Sequence, residues 1–206
     1  VPNPAHNYQW DANAKRYRDE RTGTFASQRT VTMLLNRQIT VAQKEMRSLG
    51  GQLQDGKIDL TEWRDATREQ LKILHATQAA KAVGSFDQMS QVEWGRVGGK
   101  LKFQYARLEN LAVQIDDGTQ PLDGRFAQRV AMYAQSGYAT FAETERSSAA
   151  DRGMTEERRV LGNAEHCDDC VEYAAQGWQP LGTLPRIGDS VCLVNCRCHF
   201  EFRRGK

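Results

Sequence analysis

From Ser27 onward, apolar residues recur at helical spacing. Leu35, Ile39, Ala42, Met46 and Leu49 follow one another at steps of four, three, four and three, which puts them on one face of a helix. Gly50-Gly51 is expected to end it. The next helix is expected to start at Asp59, where Asp59 and Glu62 have the spacing of a capping box: one carboxylate accepts from the exposed amides of the first turn and the other reaches back. Leu60, Trp63, Leu71 and Leu74 supply its stripe, and it should run to about Ala82, before Gly84. A third helix is predicted over Gln91 to Ile115, with Val97, Leu101, Tyr105, Leu108, Ala112 and Ile115 aligned and Asp116-Asp117-Gly118 as its stop. A fourth, over Gly124 to Ala150, carries Phe126, Val130, Tyr133 and Phe141 on one side. None holds a heptad pattern long enough for a free-standing coiled coil, and no internal repeat is present. The pattern therefore predicts a mainly α protein with an antiparallel helical bundle over residues 27–151.

The two ends read differently. Residues 1–26 have two prolines and no helical period, and their large apolar side chains (Tyr8, Trp10, Tyr17, Phe25) are too few for a core, so they are expected to form an extended N-terminal arm, either disordered or laid along a partner, with the aromatics favouring docking. Residues 152–206 are loop-rich, punctuated by Gly177, Pro180, Gly182, Pro185 and Gly188, with short strands expected over 158–161 and 199–203. So short a segment with so few aliphatics needs a staple.

Composition narrows the classes. The 206 residues are 39 % apolar and 26 % charged with five prolines, as in a globular chain and unlike a collagenous or low-complexity one. No apolar run approaches the roughly 18 residues of a membrane span, and the first residues show neither a secretory nor a transit pattern, so synthesis in the cytoplasm is expected. The formal charge of +2 divides into +1 over 1–27, +1 over 28–151 and zero over 152–206. No electropositive block is hidden in it. Lys15-Arg16-Tyr17-Arg18 and Arg203-Arg204-Gly205-Lys206 are expected to be solvated, and non-specific contact with packaged DNA fits this balance better than sequence-specific reading.

All five cysteines fall in the last forty residues: Cys167 and Cys170 as a Cys-x2-Cys knuckle behind His166, then Cys192, Cys196 and Cys198 ahead of His199. Two thiolates one tight turn apart can share a metal, and a second pair completes a tetrahedral site. Zinc is the expected ion. Cys167 and Cys170 are the firmest ligands, with two more drawn from Cys192, Cys196 and Cys198; His166 and His199 are the imidazoles in the same stretch. Disulfides or plain buried thiols are the alternatives, and the odd count together with a reducing compartment weighs against disulfides. Four thiolates leave no open position for water, so the site would be structural rather than catalytic. No catalytic residue is assigned. A cysteine nucleophile paired with His166 or His199 is a formal alternative, whereas deaminase, zincin, Walker, Gly-x-Ser-x-Gly and dinucleotide patterns are absent. Asp55 to Glu62 imitates half of an EF-hand loop, but Gly51 and Leu53 stand where the first carboxylates should be, so it reads as a connection between helices. His6 and His75 are isolated and read as surface or core histidines.

His166-Cys167-Asp168-Asp169-Cys170, the linker from Gly177 to Pro185, and Cys192-Leu193-Val194-Asn195-Cys196-Arg197-Cys198 resemble the end of tailed-phage minor head proteins, the Mu F-like head-morphogenesis family. Asn195-Cys196-Arg197-Cys198 is the most specific element, and residues 56–115 resemble the helical part of such proteins more loosely. The resemblance implies a non-enzymatic virion component inside the capsid near the portal. It would act in head assembly, with the portal protein or the major capsid protein as partner and no small-molecule substrate or membrane. Members often carry a histidine shortly before the Asn-Cys-Arg-Cys, where this chain has Cys192-Leu193-Val194. A zinc-ribbon nucleic-acid-binding adaptor is the competing reading, and it requires a basic, aromatic-lined patch beside the cysteines.

Overall fold

The computed structural model describes residues 8–11, 13, 14 and 16–205. The chain is mainly helical with two small antiparallel sheets. Its four long helices are α1 (Gln28–Gln54), α2 (Leu60–Val83), α3 (Gln91–Asp116) and α4 (Gly124–Asp151). Ser27, Asp59, Ser90 and Asp123 cap their N-termini through side-chain oxygens, and Asp59–Glu62 and Ser90–Glu93 are complete capping boxes. Two of the three carboxylates of the EF-hand-like stretch, Asp59 and Glu62, are thereby committed to backbone amides, while Asp55 closes α1 and pairs with Lys57.

α1 continues through Gly50-Gly51 to Gln54, contrary to the expected stop. Gly50 faces Phe126, and a Cβ there would stand 3.3 Å from the ring, so the residue gives clearance between α1 and α4 rather than punctuation. The same device brings α2 against α4, where a Cβ on Gly137 would lie 2.9 Å from Leu74 Cγ. Around these approaches Met46, Trp63, Leu71, Leu74, Leu108, Phe126 and Val130 form the main core, with Trp63 and Phe126 tilted at 53° and 5.5 Å apart. No helix among the described residues is long and apolar enough to cross a membrane.

His75 lies inside this core. Ser136 Oγ donates to the Tyr133 carbonyl, so it accepts from His75 Nε2 (3.2 Å), and the Thr140 hydroxyl donates to Nδ1 (2.7 Å). Burial pushes the imidazole down to about 4, with Lys100 acting in the same direction. The unfolded value is about 6.5, so between the two the unfolded chain holds the extra proton. Stability is therefore complete above about pH 6.5 and falls as pH drops towards 4, by about 3 kcal/mol from this group. Urea midpoints across that window should show the slope, and His75→Gln should flatten it.

Residues 1–7, 12 and 15 of the expected arm lie outside the described residues. The rest is built of strands: β1 (Tyr8–Asp11), β2 (Arg16–Asp19) and β3 (Phe25–Ala26) form an antiparallel sheet in sequence order, with Trp10 opposite Tyr17 and Arg18 opposite Phe25. The sheet docks on the chain's own helices. Tyr17 is buried with Val31, Leu35, Ala82 and Phe141, and its hydroxyl donates to the Lys81 carbonyl, one of the last carbonyls of α2 that have no partner within the helix.

After α4 come β4 (Glu156–Val160), α5 (Asp168–Ala175), β5 (Gln179–Pro180) and β6 (His199–Arg203), with β4 central in the order β5-β4-β6. Helix α5 is additional to the expected strands, and the paired part of β4 starts earlier than predicted. This segment does not rely on a core of its own: Cys170, Leu184, Ile187, Cys196, Cys198 and Phe200 join the main core of the helices.

Candidate metal centre

Three pieces of backbone bring the thiols together. The first is the start of α5, which has Cys167 as its N-cap and Cys170 in its first turn, with Asp168 and Asp169 placed where a helix N-terminus favours negative charge. The second is the loop carrying Ser190 and Cys192, tied back to α5 because Asp169 accepts from the Val191 amide at 2.9 Å. The third is the approach to β6, where a short helical turn over Leu193–Asn195 delivers Cys196 and Cys198 to the same side just ahead of the strand.

All five cysteines are free thiols. Cys167, Cys170 and Cys192 lie within 4.8 Å of one another, as do Cys170, Cys196 and Cys198, so Cys170 belongs to both groups. Cys170 Sγ is 3.6 Å from Cys192 Sγ and 3.7 Å from Cys196 Sγ. Sulfurs bound about 2.3 Å from a common tetrahedral ion are spaced by about 3.8 Å. The donor set and its spacing thus fit a metal ion, and the cluster could hold one. Cys170, Cys196 and Cys198 are buried; Cys167 and Cys192 are half-buried.

The thiols polarise one another. The Cys170 backbone amide lowers the Cys167 thiol to about 7, and a hydrogen bond from the Cys198 thiol lowers Cys196 to about 4. In return Cys198 is raised by its bond to Cys196, and burial pushes Cys192 up to about 12. Two of the five are therefore disposed to give up a proton near neutral pH, the form in which cysteine binds metal.

The two imidazoles separate. His166 Nε2 donates to the Gly162 carbonyl at 2.8 Å, which leaves the Nδ1 lone pair towards Cys198 Sγ at 3.7 Å. A carbonyl fixing the far nitrogen is the usual support of a metal-binding histidine, and His166 stands at the margin of the cluster, outside both thiol groups. Gly162 is required for this: a Cβ there would fall 2.1 Å from the Arg197 carbonyl oxygen. His199 lines instead the cleft of about 940 Å³ between the two sheets, with Tyr17, Trp178 and Phe202, and none of the five cysteines lines that cleft.

Charged residues that sequence reasoning passed over position the site. β4 reads Glu-Glu-Arg-Arg-Val, as a solvated strand would, yet it buries Glu157 and Arg159. Glu157 pairs with Arg146 of α4 and accepts from the Leu184 amide at 3.0 Å, while Arg146 donates to the Leu184 carbonyl at 2.6 Å. Arg159 donates to the carbonyls of Pro185 and Arg186. Two buried side chains thus hold the loop that leads to Cys192. The signal was the alternation itself, since residues 157 and 159 share one face of a strand whose partner face carries Phe200.

No protein-family model, no curated protein and no solved structure matches this chain.

Proposed function

We propose that this chain is a structural component of a tailed-phage head, a minor head protein of the kind its C-terminal motif resembles. Its long helices form an antiparallel bundle, and its last fifty residues are stapled to that bundle by a zinc ion. The observation that carries the reading is the burial of the centre of the thiol cluster: Cys170, Cys196 and Cys198 are buried, and the large cleft of the molecule lies elsewhere. A site shut in this way supports architecture rather than turnover, because a catalytic zinc keeps a position for water or substrate. The zinc fixes the path of residues 162–198 where so small an apolar complement could not.

The nucleic-acid adaptor is less well supported. Arg18 pairs with Asp11 and stacks on Phe25, and Arg203 pairs with Glu156 and stacks on Trp178, so one cation of each basic stretch is engaged within the chain. Cross-linking mass spectrometry on native particles tests the proposal. Cross-links from this chain to the lumenal face of the portal, at low copy number, are expected. Absence from the particle, with salt-sensitive binding of the purified chain to DNA, would replace it by the adaptor reading.

A further inference from the structure

Arg159 is 2 % exposed, among the largest fully buried side chains described. No carboxylate lies within salt-bridge distance of it among the described residues, since Glu157 on the same strand face is committed to Arg146. Its guanidinium meets the Pro185 and Arg186 carbonyls, the rings of Tyr173 (5.0 Å) and Phe200 (5.4 Å), and Cys170 Sγ (3.7 Å from Nη1), while Nε has no hydrogen-bond partner. Burying a cation without an anion is among the costliest arrangements a fold can contain. The group within its reach that a bound metal ion would hold as an anion is the Cys170 sulfur, which belongs to both thiol groups.

We propose that Arg159 is the built-in counter-cation of an anionic thiolate–metal centre, acting on it through Cys170. The inference rests on the metal reading above and adds the charge of the site. A divalent ion held by four thiolates is a net dianion, which in a buried position needs compensation as much as the arginine does. Each solves the other's problem: the guanidinium stabilises the Cys170 thiolate in the loaded state, and the loaded site gives the guanidinium the opposite charge it otherwise lacks. Arg159 also donates to the two carbonyls ahead of the Cys192 loop, so the same side chain aligns both thiols with one ion. It is a positioning residue, and outer partners of this kind are typically worth about 10–100-fold in metal affinity.

The test uses the full chain, reduced, with Co²⁺ as the probe. Affinity is read from the sulfur-to-cobalt charge-transfer absorbance under chelator competition, and thermal midpoints are taken with and without the ion. Arg159→Met is expected to weaken Co²⁺ binding by about 10–100-fold and to shrink the rise in midpoint that the ion produces, with Arg159→Lys recovering most of both. Should the methionine variant fail to fold, Arg159→Gln and Arg159→Lys make the same comparison of neutral against charged. Equal lowering of the apo and loaded midpoints with unchanged Co²⁺ affinity would show a packing role only and overturn the proposal. Wild-type protein that binds no Co²⁺ would instead overturn the metal reading beneath it, an outcome visible before any variant is compared.

Discussion

Cys170→Ala is expected to release the C-terminal segment from the helices. Cys170 is common to both thiol groups, so its loss leaves neither with three donors, whereas Cys167→Ala or Cys198→Ala spares one group intact. The binding free energy at stake is large: structural zinc contributes on the order of 10 kcal/mol in small domains, comparable with the whole margin of a typical fold, about 5–15 kcal/mol. The consequence should be local. α1 to α4 have Met46, Trp63, Leu71, Phe126 and Val130 to hold them, while residues 162–198 have little besides Leu184 and Ile187. Hydrogen exchange on the reduced full chain should show protection lost over 162–198 in the variant, and in wild type treated with a chelator, with the α1–α4 amides still protected. Equal protection in all three would mean that packing alone shapes the segment.

Glu157→Ala carries the second largest effect. The carboxylate is fully buried, pairs with Arg146 and accepts from the Leu184 amide. Its removal leaves a nearly buried guanidinium without its anion and an amide without its acceptor, a loss of about 3–5 kcal/mol. The double variant Arg146→Met with Glu157→Leu should recover much of that loss, because the penalty comes from the orphaned charge rather than from the missing attraction. Urea denaturation of the three proteins measures it. Additive losses in the double variant would contradict the explanation.

The helices were legible because their information is local. The apolar period, the Asp59–Glu62 box and the Gly84 and Gly118 stops each lie within a few residues of the feature they specify. Gly50 was misread for the opposite reason: whether a glycine ends a helix or makes room for a ring depends on Phe126, far along the chain. The same limit hid α5, whose eight residues are too few to show a period, and the docking of β1–β3, which depends on Tyr17 packing among Val31, Leu35, Ala82 and Phe141 and on its hydroxyl reaching the end of α2. At the site, cysteine type and spacing identified all five thiols, since ligand chemistry is written in the residues themselves. Their arrangement around Cys170, the tautomer of His166 set by Gly162, and the burial of Glu157 and Arg159 are non-local, and a run of four charges looks solvated until its partners are known.

On the proposed reading the cysteine cluster is a structural metal site. Native mass spectrometry with zinc-edge X-ray absorption on the reduced full chain tests it most directly. One tightly held zinc per chain is expected, with a sulfur-dominated shell at about 2.3 Å and no exchangeable water. A metal-free chain with two intramolecular disulfides, or a zinc bound mainly through oxygen, would contradict it.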